Sequence, residues 1–187
     1  MKKIIIGVSG ASATTYAIDL LKKTSQMPDV ETHLVMSTWA KRNLAVETSL
    51  TLAEVTALAN YTYDEHNQGA AIASGSFLSD GMVIVPASMK TVSGIAQGYA
   101  DNLIGRAADV MIKEQRKLII VPRETPLSVI HLENLTKLAK IGVQVIPPIP
   151  AFYTQPKTIQ DLLDHQTMKI LDALGIKNEV AKRWQGK

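Results

Sequence analysis

Five short apolar runs constrain the fold of this chain more than any other feature. They are "IIIGV" at 4–8, "THLVMS" at 32–37, "GMVIVPA" at 81–87, "KLIIVPR" at 117–123 and "GVQVIPP" at 142–148. Each is rich in Val, Ile and Leu and is continuous rather than alternating. A strand that faces water on one side alternates apolar with polar residues. A continuous run therefore predicts a strand covered on both faces, as in a parallel sheet flanked by helices. Helical patterns separate the runs. Apolar residues recur at helical spacing after Ser12, again over 128–142 with Gly142 as a stop, and over 158–175 with Gly175 past the end. Strand alternating with helix predicts βαβ units and a single α/β domain over 1–187, a Rossmann-like or flavodoxin-like doubly wound parallel sheet with helices on both faces. The segment "IPPIPAFYTQP" at 146–156 holds four prolines and cannot be helical. It reads as a rigid connector or a binding loop.

Composition narrows the function classes. The chain has 187 residues and a formal net charge of +3, with no block of like charge. A small anionic ligand fits this balance better than a nucleic acid, so no nucleic-acid partner is expected. There is no cysteine, which excludes disulfides, thiol catalysis and thiolate metal sites. The opening "MKKIIIGVSG" is too short for a signal-peptide core, and no stretch approaches the length of a membrane span, so a cytoplasmic protein without a membrane partner is expected. His33, His66, His131 and His165 fall at no ligand spacing, and no metal site is expected.

Two junctions carry hydroxyls from a strand into a helix. In "GVSGASA" at 7–13 the glycine spacing does not match the dinucleotide fingerprint, and no acid closes the second strand. What remains is a small-residue turn at a helix N-terminus, where backbone N–H groups and the positive end of the dipole suit an anion. Ser12 is otherwise a simple N-cap. The second junction, "VPASMKTVSGIA" at 85–96, is either a capped helix or the other half of one ligand site. Arg123 and Glu124 stand at the carboxyl end of the fourth run, where sites of open α/β sheets lie, as a structural ion pair or as ligand contacts. Arg106 and Lys113, seven apart, share one helix face, where they are ligand-binding or ordinary surface cations.

Together "GVSGAS..YA", Ser37 at the end of the second run, "ETSL", "PASMKT", "GRAADV..KE" and "VPRETPLS" resemble the flavin prenyltransferases, the UbiX-type proteins, from about residue 3 to Trp184. One departure is Ala13, where many members carry Gly; the alanine is expected to leave the local N–H groups available. The resemblance implies a metal-independent transferase that joins the dimethylallyl group of dimethylallyl monophosphate to N5 and C6 of reduced FMN. Its product, prenylated FMN, passes to a UbiD-type decarboxylase of aromatic acids. It implies FMN contacts from Gly10, Ala11, Ser12, Ser37, Ser88, Met89, Lys90, Thr91 and Arg123. Arg106, Lys113, Arg123, Tyr153 and Lys169 would grip the prenyl phosphate. Glu124 would act as general acid, Ser12 and Glu47 would manage the proton at N5, and Trp184 would stabilise an allylic cation through its π face. It also implies a homo-oligomer, a dodecamer, with the tail at about 176–187 packed at a subunit interface. The alternatives are an FMN-binding accessory subunit of such a decarboxylase, or an FMN-dependent decarboxylase of the same fold. The latter is disfavoured because the stretch reads "PASMKT" and no histidine follows the first helix suitably.

Overall fold

The computed structural model describes residues 1–186; Lys187, the last residue of the expected tail, lies outside them. Six strands form one sheet: β1 (Lys2–Val8), β2 (Val30–Met36), β3 (Tyr61–Tyr63), β4 (Gly81–Ala87), β5 (Leu118–Pro122) and β6 (Gln144–Val145). Every neighbouring pair is parallel, and the order is β3-β2-β1-β4-β5-β6. This is the doubly wound order of dinucleotide-binding folds, in which the chain reverses direction between β1 and β4. Among the described residues six α-helices lie between the strands, α1 (Thr14–Thr24), α2 (Thr38–Glu47), α3 (Leu52–Thr56), α4 (Met89–Ala96), α5 (Leu103–Lys113) and α6 (Val129–Lys140), and α7 (Ile159–Leu174) follows the last.

The continuous apolar runs are explained by burial on both faces. Ile5, Val35, Met82, Ile84 and Ile120 pack against α4, α5 and α6, while Ile4, Ile6, Leu34, Val83 and Val121 pack against α1, α2, α3 and α7. Successive strand residues alternate between these two layers, and the buried polar residues of β2 are paired, Thr32 with Asn60 and His33 with Tyr63 and Glu31. The expected strand at 142–148 is paired over only two residues, since Pro147 and Pro148 have no N–H to donate. The short edge strand β3 was not legible. "YTY" is three residues long and exposed or half-exposed, so it carries no period. The helix stops hold: Gly142 and Gly175 follow α6 and α7 with φ of 90° and 72°. Among the described residues no helix is long and apolar enough to cross a membrane.

Candidate active site

The carboxyl ends of β1 and β4 are joined by one buried hydroxyl. Ser9 Oγ donates to the Pro86 carbonyl at 3.0 Å and accepts from the Ser88 N–H at 2.7 Å. This fixes the start of α4, whose N-cap Ser88 accepts from the Thr91 N–H at 3.3 Å. Beside it Ser37 caps α2, accepting from Ala40 at 3.1 Å, and Asn102 caps α5, accepting from Gly105 at 3.0 Å. The starts of α2, α4 and α5 thus line one cleft of about 730 Å³, with Gly10, Ser37, Ser88, Lys90 and Thr91 in its wall. The positive ends of α4 and α5 and several hydroxyls in one cleft suit it to a phosphate-bearing ligand. Gly10 is needed for a close approach: a Cβ there would lie 2.6 Å from Trp39 Cβ. Ala11 and Met89, next in sequence to Gly10 and Ser88, are buried and do not line the cleft.

The start of α1 differs from its expectation. Ser12 is not its N-cap. That position belongs to Ala13, at φ 86°, and no side chain of the turn caps the helix. The carboxylate of Glu47, in the last turn of α2, takes the free donors instead. It accepts from the Ala13 N–H at 3.0 Å, the Thr14 N–H at 2.8 Å and Thr14 Oγ at 2.7 Å. The expected open anion site at this helix end is therefore filled by the protein's own anion, and the N–H groups expected to be available are in use. Burial pushes the Glu47 carboxyl up, but hydrogen bonds from Thr14, Ser12 and Ala13 outweigh it and hold it below the usual carboxylate range. Glu47 is thus ionised near neutrality, an anion held at the start of α1.

A second carboxylate, absent from the sequence expectations, does the same for α2. The buried Glu65 accepts from the Thr38 backbone N–H and from Thr38 Oγ at 2.6 Å, and its own carbonyl accepts from the Leu103 N–H at 2.7 Å. It ties the starts of α2 and α5 together at the cleft wall. Glu65 lies in the aperiodic polar stretch "YDEHNQG", where no local signal separates it from a solvated acid. His66, next to it, also lines the cleft. Ser9 carried only a weak signal, as one hydroxyl of a glycine turn.

The other expected residues lie in separate groups. Arg123 donates its N–H to the Ala87 carbonyl at 3.2 Å, which places it beside Ser88, and its side chain is exposed. Glu124, also exposed, accepts from the Thr125 N–H at 3.0 Å; among the described residues it forms no ion pair with Arg123. Arg106 bonds Asp109 at 2.7 Å and the Ala73 carbonyl at 3.1 Å, while Lys113 pairs with Glu114. Neither lines the cleft. Tyr153 meets α7: its hydroxyl lies 3.0 Å from His165 Nε2, and Trp184 packs edge-on to its ring at 5.7 Å. Lys169 is exposed on the same helix. The tail folds back along α7, where Arg183 grips Asp172 with two bonds of 2.8 Å. Among the described residues no three metal-ligating side chains converge.

The fold and the cleft together define an α/β protein that binds a phosphate-bearing ligand at the switch point of its sheet. Residues 1–171 match the Flavoprotein family. The flavin prenyltransferase LpdB of Lactiplantibacillus plantarum is 72% identical over 186 residues, covering 100% of both chains, and the flavin prenyltransferase UbiX of Escherichia coli is 46% identical over 188, again covering 100% of both. Solved structures agree. A dodecameric FMN-dependent UbiX-like decarboxylase from Escherichia coli superposes with a TM-score of 0.96 at 50% identity, over 98% of this chain and 100% of that one. AnUbiX in complex with FMN and dimethylallyl pyrophosphate superposes with a TM-score of 0.97 at 41% identity, over 100% and 98%. The chain belongs to the flavin prenyltransferases of the Flavoprotein family.

Proposed function

We propose that this chain transfers the dimethylallyl group of dimethylallyl monophosphate to reduced FMN, closing a ring at N5 and C6, and passes the prenylated FMN to a UbiD-type decarboxylase in the cytoplasm. The observation that carries this is the cleft itself. The N-termini of α4 and α5 and the hydroxyls of Ser37, Ser88 and Thr91 meet in about 730 Å³, a volume and polarity suited to FMN. Bound there, reduced FMN supplies the nucleophilic atoms. Gly10, Ala11, Ser12, Ser37, Ser88, Met89, Lys90 and Thr91 hold it, and Arg123 reaches it from the end of β5. Glu47, kept ionised by its bonds to α1, accepts the N5 proton through Ser12.

Arg106, Lys113, Arg123, Tyr153 and Lys169 grip the prenyl phosphate and offset its growing charge as it leaves. Glu124 gives it a proton, and the Trp184 π face steadies the allylic cation. Arg106 and Lys113 stand apart from Tyr153 and Lys169 within one protomer. The complete donor site is therefore shared between subunits of a homo-oligomer, a dodecamer, with the tail at 176–187 packed at an interface. The 50% identical dodecameric relative supports this assembly. The test is anaerobic incubation of the protein with reduced FMN and dimethylallyl monophosphate. A flavin heavier by one isoprene unit is expected, and its absence would sink the reading. Glu124→Gln is expected to keep FMN bound and to slow transfer by about 100-fold or more. Lost FMN, with normal turnover per bound flavin, would contradict the role of Glu124.

A further inference from the structure

We propose that His165 is a positioning residue for the prenyl donor: it donates Nε2–H to the Tyr153 oxygen, so that the Tyr153 hydroxyl proton is directed at the donor's phosphate. This rests on the prenyl-transfer reading above and adds a residue to it. The geometry is direct. Tyr153 Oη and His165 Nε2 lie 3.0 Å apart, and the two rings meet edge-on at 5.7 Å with an interplanar angle of 78°. Tyr153 also meets Trp184 edge-on, at 5.7 Å and 83°. The phenol thus touches two rings, one from α7 and one from the tail. His165 lies one helical turn before Lys169, so imidazole and ammonium rise from the same face of α7.

The direction of the hydrogen bonds follows from what each group can do. An ionised phosphate oxygen only accepts, so Tyr153 must donate to it. The phenol has a single proton. Once that proton is committed to phosphate, its oxygen needs a donor in turn. Neutral imidazole supplies one through Nε2–H. Burial and the Lys169 ammonium both push His165 below the ordinary imidazole range, which keeps the ring neutral beside the cation. Were Nε2 bare, the phenol proton would point at the ring, and the phosphate would lose a donor. A chain of two aligned donors ending on an anion also strengthens its last link.

Steady-state prenyl transfer, read against donor concentration with FMN saturating, tests this in the full-length protein. His165→Phe keeps the edge-on ring and removes the donor. It is expected to raise the donor KM about tenfold, with kcat and FMN affinity near wild type. His165→Gln, which returns an N–H donor on a side chain of similar reach, is expected to restore most of the loss. Tyr153→Phe is expected to cost as much as His165→Phe, and the double variant no more than either, since both break one chain. A wild-type KM in His165→Phe, failure of Gln to rescue, or additive losses in the double variant would each overturn the role. Absence of any product from the wild-type protein would overturn the prenyl-transfer reading instead, so the two failures are distinguishable.

Discussion

Ala13 holds a backbone conformation that its own side chain disfavours. Its φ of 86° lies in the left-handed region, where an L residue other than glycine loses roughly 1–2 kcal/mol. The sequence shows a small residue at a helix start and suggests a neutral change from glycine; the dihedral shows that the methyl group opposes the turn. Ala13→Gly is therefore expected to stabilise the protein by about 0.5–1 kcal/mol after glycine's greater chain entropy is deducted, a rise in Tm of roughly 2 °C. Thermal unfolding checks this, and an unchanged or lower Tm would show that the surrounding bonds already absorb the strain. Glycine should keep the N–H that Glu47 accepts. Transfer activity is expected to be retained.

At the scale of elements, the starts of α1 and α2 are each completed by a carboxylate from elsewhere, while α4 and α5 are capped by their own Ser88 and Asn102. Glu47 closes α1 from α2, and Glu65 closes α2 from the segment after β3. A carboxylate at a helix N-terminus gains from both the free N–H groups and the dipole. For Glu47 the consequence has a sign. Its folded pKa lies below the unfolded value of about 4.3, so its contribution is complete above that pH and is lost as the pH falls through the folded pKa. Glu47→Gln is expected to lower Tm at pH 7 by an amount set by about 1 kcal/mol of capping energy. The gap from wild type is expected to close as the pH drops below about 4.5. A gap independent of pH from 7 to 3 would remove the ionised cap from the account. Five strands, the ends of α6 and α7 and the start of α4 were legible because their causes are local: two-sided burial writes a continuous apolar run, and a cap lies within three residues of the N–H it serves. The edge strand β3 and the carboxylates of Glu47 and Glu65 were not, because each depends on a partner far along the chain.

At the scale of the whole molecule, the expected site residues do not meet within one protomer. Arg106 and Lys113 are two helical turns apart on α5 and bonded to local acids, while Tyr153, His165, Lys169 and Trp184 gather around α7. If subunits complete one another, two variants that are each inactive should rescue one another. Arg106→Ala and Glu124→Gln, coexpressed in one oligomer, are expected to regain roughly a quarter of wild-type activity, the fraction of interfaces that pair two intact residues at random. Mixing preformed oligomers that cannot exchange subunits is expected to give none. Mixed oligomers as inactive as their parents would show that Arg106 and Glu124 serve one site within a single chain.

The sequence alone determined the parallel sheet, the two hydroxyl-bearing junctions beside its switch point and the family motifs, since each is written in residues that are close together and answer to local rules of burial, capping and turn geometry. Only the tertiary structure decided which carboxylates fill the starts of α1 and α2. Glu47 reaches Ala13 across 34 positions and Glu65 reaches Thr38 across 27, and no periodicity marks either acid out from a solvated one. The opening glycine turn shows the division. Its small residues were legible as a place where a helix begins near a ligand, but the anion at that helix end is supplied by the chain's own fold, and the cleft suited to a phosphate lies at the starts of α4 and α5.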